Sequence, residues 1–231
     1  MNSKQFVAKL AQDNEALFKA SEMNVEAYFA SNPSQEALVE HFTGRMVNER
    51  MNMVEIAGKV ASAPADTSVE ELALLSKQAL DEANHFRMVK EVIEHIQGAP
   101  LDVQKAIDDE AKANTAKGAA LLAKYEAETD AAALAAYQLV AEGRAEAVWN
   151  QMAECIEDDF ISGAYRKIAK DEGFHSNIGA RALEKLVGDT ETQQRIEALV
   201  ANMRKDLYDI SCKNTTANAE GKKLVAEAYG W

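Results

Sequence analysis

Proline, glycine, cysteine and aromatic residues are all scarce in this 231-residue chain, with 3 Pro, 11 Gly, 2 Cys and only 6% Phe, Trp and Tyr. So few turn-formers exclude an all-β fold, which needs a turn every ~8–12 residues. Cys155 and Cys212 stand 57 positions apart with no CxxC or other ligand spacing. That excludes a cysteine-built metal site and predicts two reduced thiols in a cytoplasmic protein. Basic residues are outnumbered, 25 against 38 acids, for a net charge of −13. Such a surface repels phosphate backbones and anionic lipid, so neither nucleic acid nor membrane is an expected partner, whereas a basic protein surface is. No apolar run approaches the roughly 20 residues of a membrane span, and the opening MNSKQFVAKLAQDNEALF has no continuous apolar segment. A soluble, cytoplasmic protein is expected.

What is abundant is apolar side chain at helical spacing. Hydrophobic residues make up 47% of the chain, enough for one large domain over 1–231 with a sizeable core. The few breakers divide it. Asn32-Pro33-Ser34, the loop 61–66, Gly98-Ala99-Pro100, Thr129-Asp130, Glu157-Asp158-Asp159 and Gly188-Asp189-Thr190 predict helices over 3–30 (broken near Ser21), 34–61, 67–97, 102–127 (broken), 130–156, 159–187, 191–212 and 218–228. Thr67 to Glu70 reads as a capping box for the third. The Ala-rich stretch 111–136 reads as closely packed or partly exposed helix. No stretch alternates with period 2, so the expected class is all-α.

Two of these helices carry an anomaly on the apolar stripe. Leu72, Leu75, Ala79, Glu82, Phe86, Val89, Ile93 and Ile96 step by three and four, and so do Ile161, Tyr165, Ile168, Glu172, His175, Ile178, Ala182 and Leu186. Carboxylates inside a helical core need a partner. Both helices offer the same local arrangement, Asp81-Glu82-x-x-His85 and Asp171-Glu172-x-x-His175, in a chain with only 4 His. Glu and His three apart lie on one face, one turn apart, and can hold one ion together.

A two-metal site in a four-helix bundle also takes a carboxylate from each of two further helices. An antiparallel partner must place its Glu as far before the turn as the Glu-x-x-His motif lies after it. Glu49 does so for the first pair, since the midpoint of 49 and 82 falls in the Pro64 loop. Glu142 does so for the second. Glu146, one turn further along that face, would lie over ~4 Å short at 1.5 Å rise per residue. It remains open as a neighbour of the ligands or as the ligand itself. The pattern is E-x32-E-x2-H followed by E-x29-E-x2-H, and its mixed oxygen and imidazole donors suit two iron or manganese ions.

This duplicated pattern over about 34–187 resembles the ferritin-like di-iron carboxylate superfamily, in its O2-activating oxygenase and oxidase branch. The resemblance implies a ferritin-like four-helix bundle with flanking helices. It implies metal ligands at Glu49, Glu82, His85, Glu142, Glu172 and His175, with Glu82 and Glu172 bridging. Asp81 and Asp171 are similar to the aspartates that accept a hydrogen bond from a ligand histidine in the bacterial multicomponent monooxygenases. The implied activity is oxidation of a small organic substrate by O2. It needs an external electron donor, a ferredoxin or reductase, since the chain has no flavin, haem or iron–sulfur motif, and it suits a monomer or homodimer. The extra helices around the bundle favour this over iron storage or peroxide removal, as in ferritin and rubrerythrin (the CxxC pairs of rubrerythrin are missing), and the chain is short for a third use, a radical-generating subunit like that of ribonucleotide reductase. Phe86, Trp149, Tyr165, Ile168 and Phe174 are candidates for lining a dry pocket.

Overall fold

In the computed structural model of the protein, residues 1–113, 121, 124, 125 and 130–231 are described. Every regular element among them is helical: α1 (Ser3–Asp13), α2 (Glu15–Ala30), α3 (Gln35–Ala61), α4 (Val69–Gln97), α5 (Val103–Ala113), α6 (Ala131–Tyr137), a π-helical segment (Gln138–Glu142), α7 (Gly143–Cys155), α8 (Asp159–Leu186), α9 (Thr190–Asn214) and α10 (Ala219–Tyr229). The fold is all-α, and no helix among these residues is long and apolar enough to cross a membrane. The expected continuation of the fourth helix to 127, the Thr129 cap and much of the Ala-rich stretch lie outside the described residues.

The chain divides into two compact units, Pro33–Ala120 and Met1–Asn32 with Leu121–Trp231. In the first, α3 and α4 pack along each other over their length, and α5 packs on α3. Ser34 starts α3 by accepting a hydrogen bond from Ala37 N–H. Ser68, not Thr67, caps α4, accepting from Glu71 N–H. The sequence offers two hydroxyl residues in a row, and Thr67 is used instead in the preceding turn, its N–H bonded to the Pro64 carbonyl. Gly98, at φ 68°, closes α4 in the left-handed conformation that glycine adopts without strain.

In the second unit α6, the π segment and α7 run against α8, with α1, α2, α9 and α10 around them. Leu10, Leu17, Ala136, Val140, Leu183, Ile196, Val200 and Met203 form part of its core. Aspartate caps recur: Asp130 accepts from Ala132 and Ala133 N–H, and Asp158 from Phe160 and Ile161 N–H. The first helix breaks at Asn14, not near Ser21. Arg204 of α9 takes the Leu10 carbonyl and the Asn14 side-chain oxygen. Asn14 N–H turns to Ala11 instead, so the helical ladder stops there. Ser21 is simply buried within α2.

Candidate metal centre

Each unit buries one Glu-Glu-His triad. In the first, Glu49 of α3 and Glu82 and His85 of α4 have ligand atoms within 4.8 Å of one another. His85 Nδ1 lies 3.4 Å from Glu49 Oε2 and 3.6 Å from Glu82 Oε2. In the second, Glu142 of the π segment and Glu172 and His175 of α8 meet the same criterion of 4.8 Å, and His175 Nδ1 lies 3.3 Å from Glu172 Oε2. All six residues are buried, with Glu82, His85 and His175 fully shielded from solvent. Each imidazole thus presents Nδ1 to the glutamate one helical turn before it, as the i, i+3 spacing provides, and His85 Nδ1 faces Glu49 of α3 as well.

The electrostatics of the first triad are those of acids held out of water. Burial pushes the Glu49 carboxyl up, the neighbouring His85 opposes this, and the Glu82 charge adds to it. Buried carboxylates with an imidazole are unfavourable as bare anions and favourable around a divalent cation. Two carboxylates and one neutral imidazole per triad, with no thiolate, fit a transition ion of intermediate hardness. Either triad can therefore hold a metal ion.

The surroundings grade from water to interior. Lys77 pairs with Asp81 and Lys167 with Asp171, both at i, i+4. The lysines are about half exposed and the aspartates nearly buried, ahead of glutamates that are fully so. The two lysines are absent from the sequence expectation, although the signal is there as a repeated K-x-x-x-D-E-x-x-H. Buried amides accompany the triads: Asn52 one turn after Glu49, Gln78 one turn before Glu82 and Gln138 one turn before Glu142.

Glu146 lies half-buried beside the second triad's helix, with its carboxyl pushed up by burial. It rests on Gly173, where an added Cβ would come 2.6 Å from Glu146 Oε1. Ligand atoms of Glu142, not of Glu146, join Glu172 and His175. The π segment is the feature least visible in advance. It widens the helix around Glu142 and frees a carbonyl; the Leu139 carbonyl accepts from Ser176 Oγ at 3.1 Å. Such one-turn π segments recur at functional sites.

Of the aromatic candidates, Trp149 and Tyr165 are buried and stack with centroids 4.9 Å apart, and Ile168 is buried beside them on α8. Phe86 is half-buried. Phe174 is 36% exposed, whereas its neighbour Gly173 is buried against Glu146. The stripe beyond His175 also runs through Gly179, Leu183 and Val187 instead of Ile178, Ala182 and Leu186.

Compared with protein-family models, curated proteins and solved structures, the chain finds no match.

Proposed function

We propose that the two triads together hold two iron ions (manganese being the alternative) inside a ferritin-like four-helix bundle, and that the protein is an O2-dependent oxygenase or oxidase of a small organic molecule. The observation that carries this reading is the repeated Glu-Glu-His triad, buried once in each unit by a pair of long helices. Single acidic clusters are common on surfaces, but two buried copies, with the same residues at the same spacing on α4 and α8, are costly without cations to neutralise them.

Iron held by these residues would supply electrons to O2. The protein's residues do the rest. Glu49, Glu82 and His85, and Glu142, Glu172 and His175, fix the ions through side chains anchored on rigid helices. Asp81 and Asp171, each paired with a lysine one turn earlier, would accept the outward N–H of a ligand histidine and fix its tautomer. Trp149, Tyr165 and Ile168 exclude water, so that the oxidant meets substrate and not solvent. An oxygen atom inserted into a C–H bond with the second reduced to water requires two electrons from the substrate and two from an external ferredoxin or reductase. The acidic chain would recognise a basic face of that donor.

The test is oxygen uptake. Protein loaded anaerobically with about two ferrous ions per chain should consume O2, and do so repeatedly when a ferredoxin and its reductase are supplied. Accumulation of ferric iron far beyond two per chain, with no catalytic uptake, would instead mark a ferritin-like iron store. No reaction with O2 at all would refute the oxygenase reading.

A further inference from the structure

Away from the triads, a cleft of about 570 Å³ opens between α1, α2, α9 and α10, lined by Gln12, Asp13, Ala16, Leu224, Ala228 and the Tyr229 ring, with Arg204 among its walls and Glu15 and Lys19 at its edge. Arg204 is only 6% exposed. Its Nε–H donates to Asn14 Oδ1 at 2.7 Å and one Nη2–H to the Leu10 carbonyl at 3.2 Å. Its guanidinium lies 5.4 Å from the centroid of the Tyr229 ring, which is itself anchored by hydrogen bonds to Leu17 N–H and the Asp13 carbonyl.

These contacts use two of the five N–H groups of an arginine. Among the described residues, no acceptor takes the other three. Nor does any carboxylate reach ion-pair distance. The nearest acids by charge are Asp13 and Glu197, and both are bound by Lys9, at 2.7 Å and 2.8 Å. A nearly buried cation normally has its charge matched directly. Here the unmatched edge belongs to a side chain that borders an open cleft.

We propose that this cleft is a binding site for a small organic monocarboxylate, which docks on the free Nη edge of Arg204. The planar fork of the guanidinium matches a carboxylate. Ala16, Leu224, Ala228 and the Tyr229 ring accommodate a short aliphatic tail. Glu15 at the edge disfavours a dianion such as phosphate, which a like charge repels about twice as strongly as a monoanion. The site does not depend on the metals and stands or falls separately from the oxygenase reading.

The experiment titrates the full-length protein with sodium propionate, following the side-chain Nε–H resonance of Arg204 by ¹H–¹⁵N NMR, with inorganic phosphate as the comparison. The expected result is a saturable shift with a Kd of about 1 mM, the range open to a ligand of few atoms. Phosphate should bind at least tenfold more weakly. Arg204→Gln, followed instead through the backbone amides of Leu224 and Ala228 in the cleft wall, should abolish the binding. Because Arg204 also holds the α1–α2 junction, Ala228→Glu is the second variant: Ala228 is exposed, so the fold persists while an added negative charge in the cleft weakens propionate at least tenfold. An Nε–H that does not respond to propionate, a tighter response to phosphate, or unchanged propionate binding in Ala228→Glu would each overturn the proposal.

Discussion

The α3–α4 pair and the pair formed by α6, the π segment, α7 and α8 present the same triad by different packing. Positions 90 apart correspond. Where α4 has Ala83, Phe86 and Val89, α8 has Gly173, Ser176 and Gly179. Val89 is fully buried in the first pair. In the second, a Cβ on Gly179 would lie 2.7 Å from both the Ala135 carbonyl and the Leu139 nitrogen, so backbone approaches backbone. Gly143 likewise leaves room for Phe18, which a Cβ would meet at 2.8 Å. The first pair is spaced by side chains and its helices stay regular. In the second, small residues let backbone meet backbone, and the glutamate Glu142 comes from a π segment whose Leu139 carbonyl accepts from Ser176. One Glu-Glu-His set thus sits in two packings, one between regular helices and one that includes a π segment.

The largest effect should come from stripping the metal, which affects both pairs. At free metal about 1,000-fold above Kd, each ion contributes about 4 kcal/mol of stability, so chelation should lower the melting temperature steeply. An unchanged melting temperature would mean that the triads are stable bare. Next, Gly179→Ala should destabilise by about 3 kcal/mol through overpacking against backbone that cannot yield. At the equivalent position Val89→Ala should cost about 2 kcal/mol for the opposite reason, lost burial. Chemical denaturation measures both, and a neutral Gly179→Ala would show that the close approach is not required. Ser176→Ala removes the hydrogen bond to the Leu139 carbonyl and should cost about 1 kcal/mol, whereas the first pair, with Phe86 there, has no such bond to lose.

The smallest effect separates the caps. Burial raises the Asp130 carboxyl, but Arg195 and the Ala132 and Ala133 N–H groups outweigh it and hold it below its ordinary value of 3.8. A depressed folded-state pKa stabilises above the unfolded value and loses that contribution as pH falls through the folded one. The melting-temperature gap between the protein and Asp130→Asn should therefore be complete above pH ~5 and vanish in strong acid. Ser34, the neutral cap of α3, should show no such pH dependence in Ser34→Ala.

The helices and both triads were legible because each rests on local pattern. Pro33, Pro64 and Gly98 punctuate the chain, and Glu82/His85 and Glu172/His175 interrupt otherwise apolar stripes. Pairing Glu49 and Glu142 with them needed only equal arm lengths about a turn. What escaped depends on contacts distant in sequence. The break at Asn14 is made by Arg204, 190 positions away. The π segment lies where Gly179 meets the backbone of Ala135 and Leu139, and periodicity cannot register an extra residue in one turn. The drift of the α8 stripe toward Leu183 and Val187 has the same origin, and Phe174 was misjudged because its neighbour Gly173 occupies the inner face.

The central claim, one ion per triad, is tested most directly by metal analysis after anaerobic iron loading and desalting. The account predicts about two ions per chain in the unaltered protein and about one in each of Glu49→Ala and Glu142→Ala. Two ions retained in Glu142→Ala but not in Glu146→Ala would contradict the assignment of the second triad, and no bound metal in the unaltered protein would contradict the claim itself.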